Sequence, residues 1–348
     1  MKAELFQLPF ITDGLEGIGG KIKDKNQDFI VEELPLYDLT GEGEHLFVNI
    51  TKDGMTTKDL QKELAKVYEV NHQDVDFAGI KDKHAITTQT FSIWLRDPSI
   101  KDRAFQLEDS LPVKINWNKF HQRKIKKGHL AGNVFTVKIT DIPGSLDEAA
   151  QKTDKIIKKL SQTGIPNFFG AQRFGMEEDN AQKGLDIMLG KQRVKNKWLR
   201  KFLLSSYQSY VFNYYLKKRI EEGLFDKILN GEVAKKQDTG GMFIVDDPVA
   251  DQKRLENKEI TFTGPIFGKK MKSPQDEALD FENNILKELE ITRENFSKGK
   301  LNGTRRAGII IPEIKHQKIE DGMQLNFTLP KGSFATIILR EIMKNFHT

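Results

Sequence analysis

Phe77-Ala78-Gly79-Ile80-Lys81-Asp82-Lys83-His84-Ala85-Ile86-Thr87-Thr88-Gln89 is the stretch on which the reading of this chain turns. An apolar run stops, a lone carboxylate follows between two lysines, and a polar, β-branched run resumes. The pattern predicts two strands joined by a charged turn. Positive charge on both sides favours the charged form of Asp82, the form a carboxylate nucleophile needs. An ordinary surface turn is the plain alternative, because Asp and Lys are common turn residues.

Working outward, strand patterning continues on both sides. Leu46, Val48 and Ile50 alternate with Phe47 and Asn49, and Phe135, Val137 and Ile139 alternate with Thr136, Lys138 and Thr140. Residues 56–68 predict a helix with Leu60, Leu64 and Val67 on one face and Thr56 or Thr57 as its N-cap. Ser145 and Glu148 fit a capping box that opens a second helix, for which Gly164 is the stop. The middle of the chain is helix-rich, with one long helix from about Leu199 to Gly223. Asp238-Thr239-Gly240-Gly241 marks a loop. Strand character returns over residues 307–314 and 324–329, and Gly332-Ser333 is the predicted cap of a short helix through Arg340 to Met343. The economical arrangement is a sheet domain built from both ends of the chain, with a second domain inserted between them.

The 348 residues suit about two domains. With 38% hydrophobic and 30% charged residues the composition is that of a globular protein. No apolar stretch approaches a membrane span and no membrane partner is expected. There is no cysteine, which excludes disulfides and thiolate metal sites. No signal-peptide pattern occurs at the N-terminus, so a cytoplasmic address is the expectation. The net charge of +5 is compatible with a polyanion partner. Two segments sharpen this. Residues 119–129, with Arg123, Lys124, Lys126 and Lys127, and residues 191–201 contain no acid and interleave cations with aromatics.

Other motifs lead nowhere. Gly17-Ile18-Gly19-Gly20-Lys21 lacks the earlier glycine and the hydroxyl residue of a phosphate loop, so it reads as a turn. The seven histidines show no metal-ligand spacing, and no metal or cofactor is expected. Asn167-Phe168-Phe169-Gly170-Ala171-Gln172-Arg173-Phe174-Gly175 packs three aromatics and Arg173 into nine residues. It suits either a buried aromatic turn or a loop facing RNA, since Arg and aromatic faces both stack bases.

Taken together, the motifs resemble the tRNA pseudouridine synthase D family nearly end to end. The resemblance rests on Asp28-Phe29-Ile30-Val31-Glu32, Gly41-Glu42-Gly43-Glu44-His45, residues 78–85, Gly132-Asn133-Val134-Phe135, residues 166–175, Tyr207-Gln208-Ser209 and residues 329–336. Phe168 departs from it, standing where the family often has Tyr.

The resemblance implies a mixed α/β (α+β) fold. A pseudouridine synthase catalytic domain with a largely antiparallel sheet would comprise residues 1–163 and 309–348, and a second α/β domain (the TRUD domain) would be inserted at residues 164–308. RNA would bind in the cleft between them. It implies isomerisation of uridine to pseudouridine, at uridine 13 of transfer RNA, by a monomer without cofactor. It makes Asp82 the catalytic aspartate, Phe29, Asn133 and Phe334 substrate-binding, Phe135 the aromatic that stacks on the target base, and Lys23 the basic partner of Asp82. Lys81, Lys83, Arg123, Lys124, Lys126, Lys127 and Arg173 would line the RNA-binding surface. The competing reading is a non-catalytic RNA-binding or RNA-folding protein.

Overall fold

A computed structural model describes residues 8–175 and 179–345. Close contacts divide the chain into two compact units. One comprises Ile18–Thr153 with Pro312–Gly332, and the other Met1–Gly17 with Asp154–Ile311 and Ser333–Thr348.

The first unit is built on an eight-stranded sheet. Its strands are β1 (Phe29–Pro35), β2 (His45–Asp53), β3 (Val75–Phe77), β4 (Ile86–Trp94), β5 (Val113–His121), β6 (Leu130–Thr140), β13 (Ile314–Ile319) and β14 (Gly322–Pro330). The order is β13-β14-β6-β1-β4-β2-β5, with β3 beside β4. Every pairing is antiparallel except β1 with β4. β2 covers one edge of β4 from Ile86 to Trp94. β1 and β3 therefore share the other edge, β1 at residues 86–88 and β3 at residues 91–93. The segment carrying Asp82 connects β3 to β4 along that shared edge.

Alternation fixes what each face does. Leu46, Val48, Ile50, Phe91 and Ile93 point to one side and form a core with Leu60 and Leu64 of α1 (Thr57–Val67). Thr56 caps that helix, its hydroxyl accepting the Asp59 N–H at 3.0 Å. Phe47, Ala78, Ile125 and Leu130 form a smaller cluster elsewhere in the unit.

α2 (Leu146–Thr163) leads into the second unit and ends at Gly164, whose φ of +73° only glycine adopts without strain. There β11 (Thr304–Ala307), β10 (Ile260–Ile266), β8 (Val233–Lys236) and β9 (Met242–Ile244) form a four-stranded sheet in that order. β7 (Ile165–Pro166) pairs with β12 (Ile309–Ile310). The helices are α3 (Asn180–Met188), α4 (Lys197–Glu221), α5 (Pro248–Glu256), α6 (Asp276–Glu288), α7 (Arg293–Lys298) and α8 (Ala335–Met343). α4 is the spine of this core, burying Leu203, Tyr207, Val211, Phe212 and Tyr215. Among the described residues no helix is long and apolar enough to cross a membrane.

Two local expectations are corrected. The single strand expected over residues 307–314 is three separate pieces, because each pairs with a different partner: β11 with β10, β12 with β7 and β13 with β14. Gly308 lies against Phe262, where a Cβ would come within 2.0 Å of the ring. Ser333 does not cap the last helix. Phe334 holds the N-cap position, and the Ser333 hydroxyl donates to Asn167 Oδ1 at 3.0 Å.

Candidate active site

The β3–β4 connection is tied down at successive points. Gln89 Nε2 donates to the Gly79 carbonyl at 3.3 Å, and the Lys81 N–H donates to Thr57 Oγ1 at 2.9 Å. Thr57 in turn donates to Gln89 Oε1 at 2.8 Å, so the start of α1 and the middle of β4 clamp the connection together. Lys52 Nζ donates to the Asp82 carbonyl at 2.8 Å. The backbone of Asp82 is thereby fixed while its carboxylate stays about one-third exposed.

The cation at that carboxylate is Lys23, whose Nζ lies 2.9 Å from Asp82 Oδ2. Lys23 holds a left-handed backbone conformation (φ +62°), uncommon for a residue with a side chain. Its ammonium also sits 4.1 Å from the centre of the Phe29 ring. Charge on Asp82 is therefore balanced by Lys23, the partner that the family resemblance implied, and not by the flanking lysines that the local sequence suggested.

Lys81 turns the other way. Its side chain is 7% exposed and its Nζ meets Glu33 Oε2 at 3.0 Å and donates to Asn133 Oδ1. Glu33 is equally buried, and its other oxygen accepts the Thr90 N–H at 3.4 Å. Lys81 is thus a buried strut and not part of the surface. Lys83, Arg123, Lys126 and Lys127 are exposed. Lys124 is exposed and pairs with Asp76 at 3.1 Å.

Phe29 and Phe135 come together on β1 and β6, their rings edge to face at 6.1 Å. Phe327 of β14 stacks on Phe135 at 5.3 Å. Phe135 is 7% exposed, so it offers a strip of ring and not an open face. Asn133, two residues before it, is half-buried.

Phe334 and Arg173 are placed in the second unit. Phe334 is half-buried, 5.9 Å from the ring of Phe169. Gly170 allows that approach, since a Cβ there would come 2.8 Å from Thr336 Oγ1 and 3.4 Å from the Phe334 ring. Arg306 lies 4.1 Å over Phe169 and donates to Asn167 Oδ1 at 2.6 Å. Burial pushes the Arg306 guanidinium down to about 9, with the nearby Arg173 charge adding to the effect. Arg173 is half-buried, donating to Ser205 at 2.6 Å and Ser209 at 3.2 Å, and burial lowers it too. Phe168 is fully packed, at 1% exposure.

Sequence reasoning missed Lys52, Glu33 and Phe327. Lys52 continues the inward row Leu46, Val48, Ile50, and Glu33 continues Phe29, Val31. A charged residue in phase with the apolar face of a strand was the available signal. Lys52 is fully buried, and burial brings its ammonium down to about 8. Phe327 stood in the row Leu325, Phe327, Leu329, indistinguishable from core.

What this geometry defines is a mixed α/β protein on a large, mainly antiparallel sheet, with a lysine-paired carboxylate held at the edge of an aromatic cluster. The family model described as tRNA pseudouridine synthase D (TruD) matches residues 7–193 and 192–342. The chain is 38% identical over 336 residues to a tRNA pseudouridine synthase D of Thermus thermophilus, covering 97% of this chain and 92% of the relative. It is 36% identical over 344 residues to that of an Anaeromyxobacter species, covering 97% and 96%. A crystal structure from Methanosarcina mazei, described as a tRNA pseudouridine synthase D (TruD), superposes with a TM-score of 0.77 at 24% identity, over 99% of this chain and 97% of that one. That likeness speaks for the fold. The chain belongs to the tRNA pseudouridine synthase D family.

Proposed function

We propose that this protein isomerises uridine to pseudouridine in transfer RNA, at uridine 13, with Asp82 as the catalytic aspartate acting on a flipped-out nucleoside. The observation that carries the reading is the Asp82–Lys23 pair. The carboxylate is about one-third exposed, ion-paired at 2.9 Å, and mounted on a backbone that Lys52 holds from within the sheet. A base inside folded RNA must leave its stack before the sugar is reachable.

The isomerisation conserves atoms. The N1–C1′ bond breaks, a C5–C1′ bond forms, and the C5 proton is replaced by one on N1. Two routes start from the same carboxylate: attack on C1′, or removal of a ribose proton with departure of the base. Neither route draws on a cofactor. Phe29 and Phe135 supply the apolar wall that keeps water from the detached base. Asn133 has a defined orientation, because an ammonium only donates and Lys81 therefore faces Oδ1. The Asn133 amide hydrogens are left to meet a uracil carbonyl. Phe334 is read as a further substrate contact, and Lys83, Arg123, Lys124, Lys126 and Lys127 as phosphate contacts. Residues 164–308 are read as the inserted domain, with catalysis kept on the eight-stranded sheet.

The test is incubation of the purified protein with unmodified transfer RNA, without nucleotide or metal, followed by carbodiimide mapping. Pseudouridine at position 13 is the expected result. Binding without isomerisation contradicts the proposal and favours a binding protein.

A further inference from the structure

Between Asp186 and Glu221 the chain has no acidic residue. The exposed part of this run leads into the first turn of α4. Among the described residues none of Lys191, Arg193, Lys195, Lys197, Arg200 and Lys201 has an ion-pair partner. Lys197 and Arg200 stand at the start of the helix, where the dipole is positive and acids are the stabilising choice.

An aromatic side chain stands in the middle of it. Trp198 is 68% exposed. Its indole lies on Phe202, one helical turn further on, with ring centres 5.6 Å apart and planes 3° from parallel. Phe202 covers one face of the indole, so the exposure belongs to the other. Phe202 is itself backed by the Arg173 guanidinium, 5.4 Å from its ring centre and anchored on Ser205 and Ser209 of the same helix. The result is a stacked shelf with one open aromatic face, set in a run of cations that have no ion-pair partner among the described residues. An indole left open to water is a poor stability choice. A planar, hydrogen-bonded, negatively linked ligand matches it, because a base stacks on the ring while its phosphates meet the lysines.

We propose that Trp198 is a stacking platform for one unpaired nucleotide of the RNA substrate, with Lys195, Lys197 and Lys201 contacting the neighbouring phosphates. The partner class rests on the RNA substrate proposed above. The platform lies outside the Asp82 constellation and adds affinity without taking part in the chemistry.

The experiment uses the full chain with Trp94→Phe and Trp117→Phe, which leaves Trp198 as the reporting indole. Oligouridylate and unmodified transfer RNA are expected to quench its emission, whereas inorganic polyphosphate leaves it unchanged. In the otherwise unaltered protein, Trp198→Ala is expected to weaken RNA affinity by about 5- to 150-fold, the loss of one base stack, with kcat at saturating RNA preserved. Lys195→Gln, Lys197→Gln and Lys201→Gln together should lower the salt slope of binding by about 2, from ~0.7 per phosphate contact on a single strand. Equal quenching by polyphosphate, or an RNA affinity indifferent to Trp198→Ala, overturns the proposal and leaves the patch to a protein partner or a general anion. Quenching by RNA with no pseudouridine formed keeps the platform and removes the proposed reaction. Pseudouridine formed with no quenching does the opposite.

Discussion

Replacing Lys81 by Met tests the buried strut beneath the site. The Lys81 and Glu33 side chains are 7% and 4% exposed and meet at 3.0 Å. Lys81→Met keeps the stem and removes the ammonium, leaving the Glu33 carboxylate without its counter-charge. Breaking a buried pair in this way costs ~3–5 kcal/mol. With a urea dependence of about 2 kcal/mol per molar, the unfolding midpoint falls by ~1.5–2.5 M. Trp94 and Trp117, on β4 and β5, report the unfolding of this unit in a Trp198→Phe background. The same substitution frees the Asn133 amide to rotate, so kcat/KM for transfer RNA falls as well. Adding Glu33→Leu separates the two effects. An apolar pair of similar volume restores most of the stability, but the orientation of Asn133 stays lost and activity stays low. The reasoning is refuted if Lys81→Met costs less than about 1 kcal/mol, or if the double variant is less stable than Lys81→Met alone.

Lys52→Met should lower kcat by loosening the Asp82 backbone, with RNA affinity unchanged; a variant of full activity would detach Lys52 from the site. Lys52 also sets a pH signature. Burial brings its folded-state value down to about 8 from 10.5, so between those pH values the unfolded chain binds the extra proton and this group makes stability rise with pH. Urea titrations at pH 8 and pH 10 should show that rise in the wild type and a smaller one in Lys52→Met. Gly132→Ala places a Cβ 2.3 Å from the Leu329 carbonyl oxygen, which forces β6 from β14 beside Asn133; a loss of ~1–3 kcal/mol is expected in the same unfolding assay, and a neutral result contradicts the close approach. Lys23→Met should abolish most isomerisation yet cost under about 1 kcal/mol of stability, because the Asp82–Lys23 pair is part-exposed; a large drop in unfolding midpoint would make Lys23 a structural residue instead.

How legible the molecule was depends on which residues carry local signals. The strands at Leu46–Ile50 and Phe135–Ile139 and the helix capped by Thr56 lie where alternation and capping chemistry put them, within β2, β6 and α1. Gly164 ends α2 for the expected reason. The strand expected over residues 307–314 failed because its apolar run, Ile309-Ile310-Ile311, says nothing about partners, and partner exchange broke it. The ionic wiring was the least legible part. Two lysines flank Asp82, but a turn sends successive side chains in different directions. Lys81 goes inward to Glu33, and Lys23, 59 positions away and reached through the family resemblance but not through local pattern, supplies the cation. Lys52 was visible in principle as a charge in phase with an apolar row. Phe135 is packed between Phe29 and Phe327, contacts that depend on strand order and not on local sequence.

The central claim concerns one carboxylate. Wild type and Asp82→Asn should be assayed side by side on unmodified transfer RNA, with position-resolved mapping of pseudouridine and a parallel filter-binding measurement. The account predicts pseudouridine at position 13 with the wild type, none with Asp82→Asn, and RNA affinities within a few-fold of each other. Product formation by Asp82→Asn at a rate near that of the wild type would contradict it.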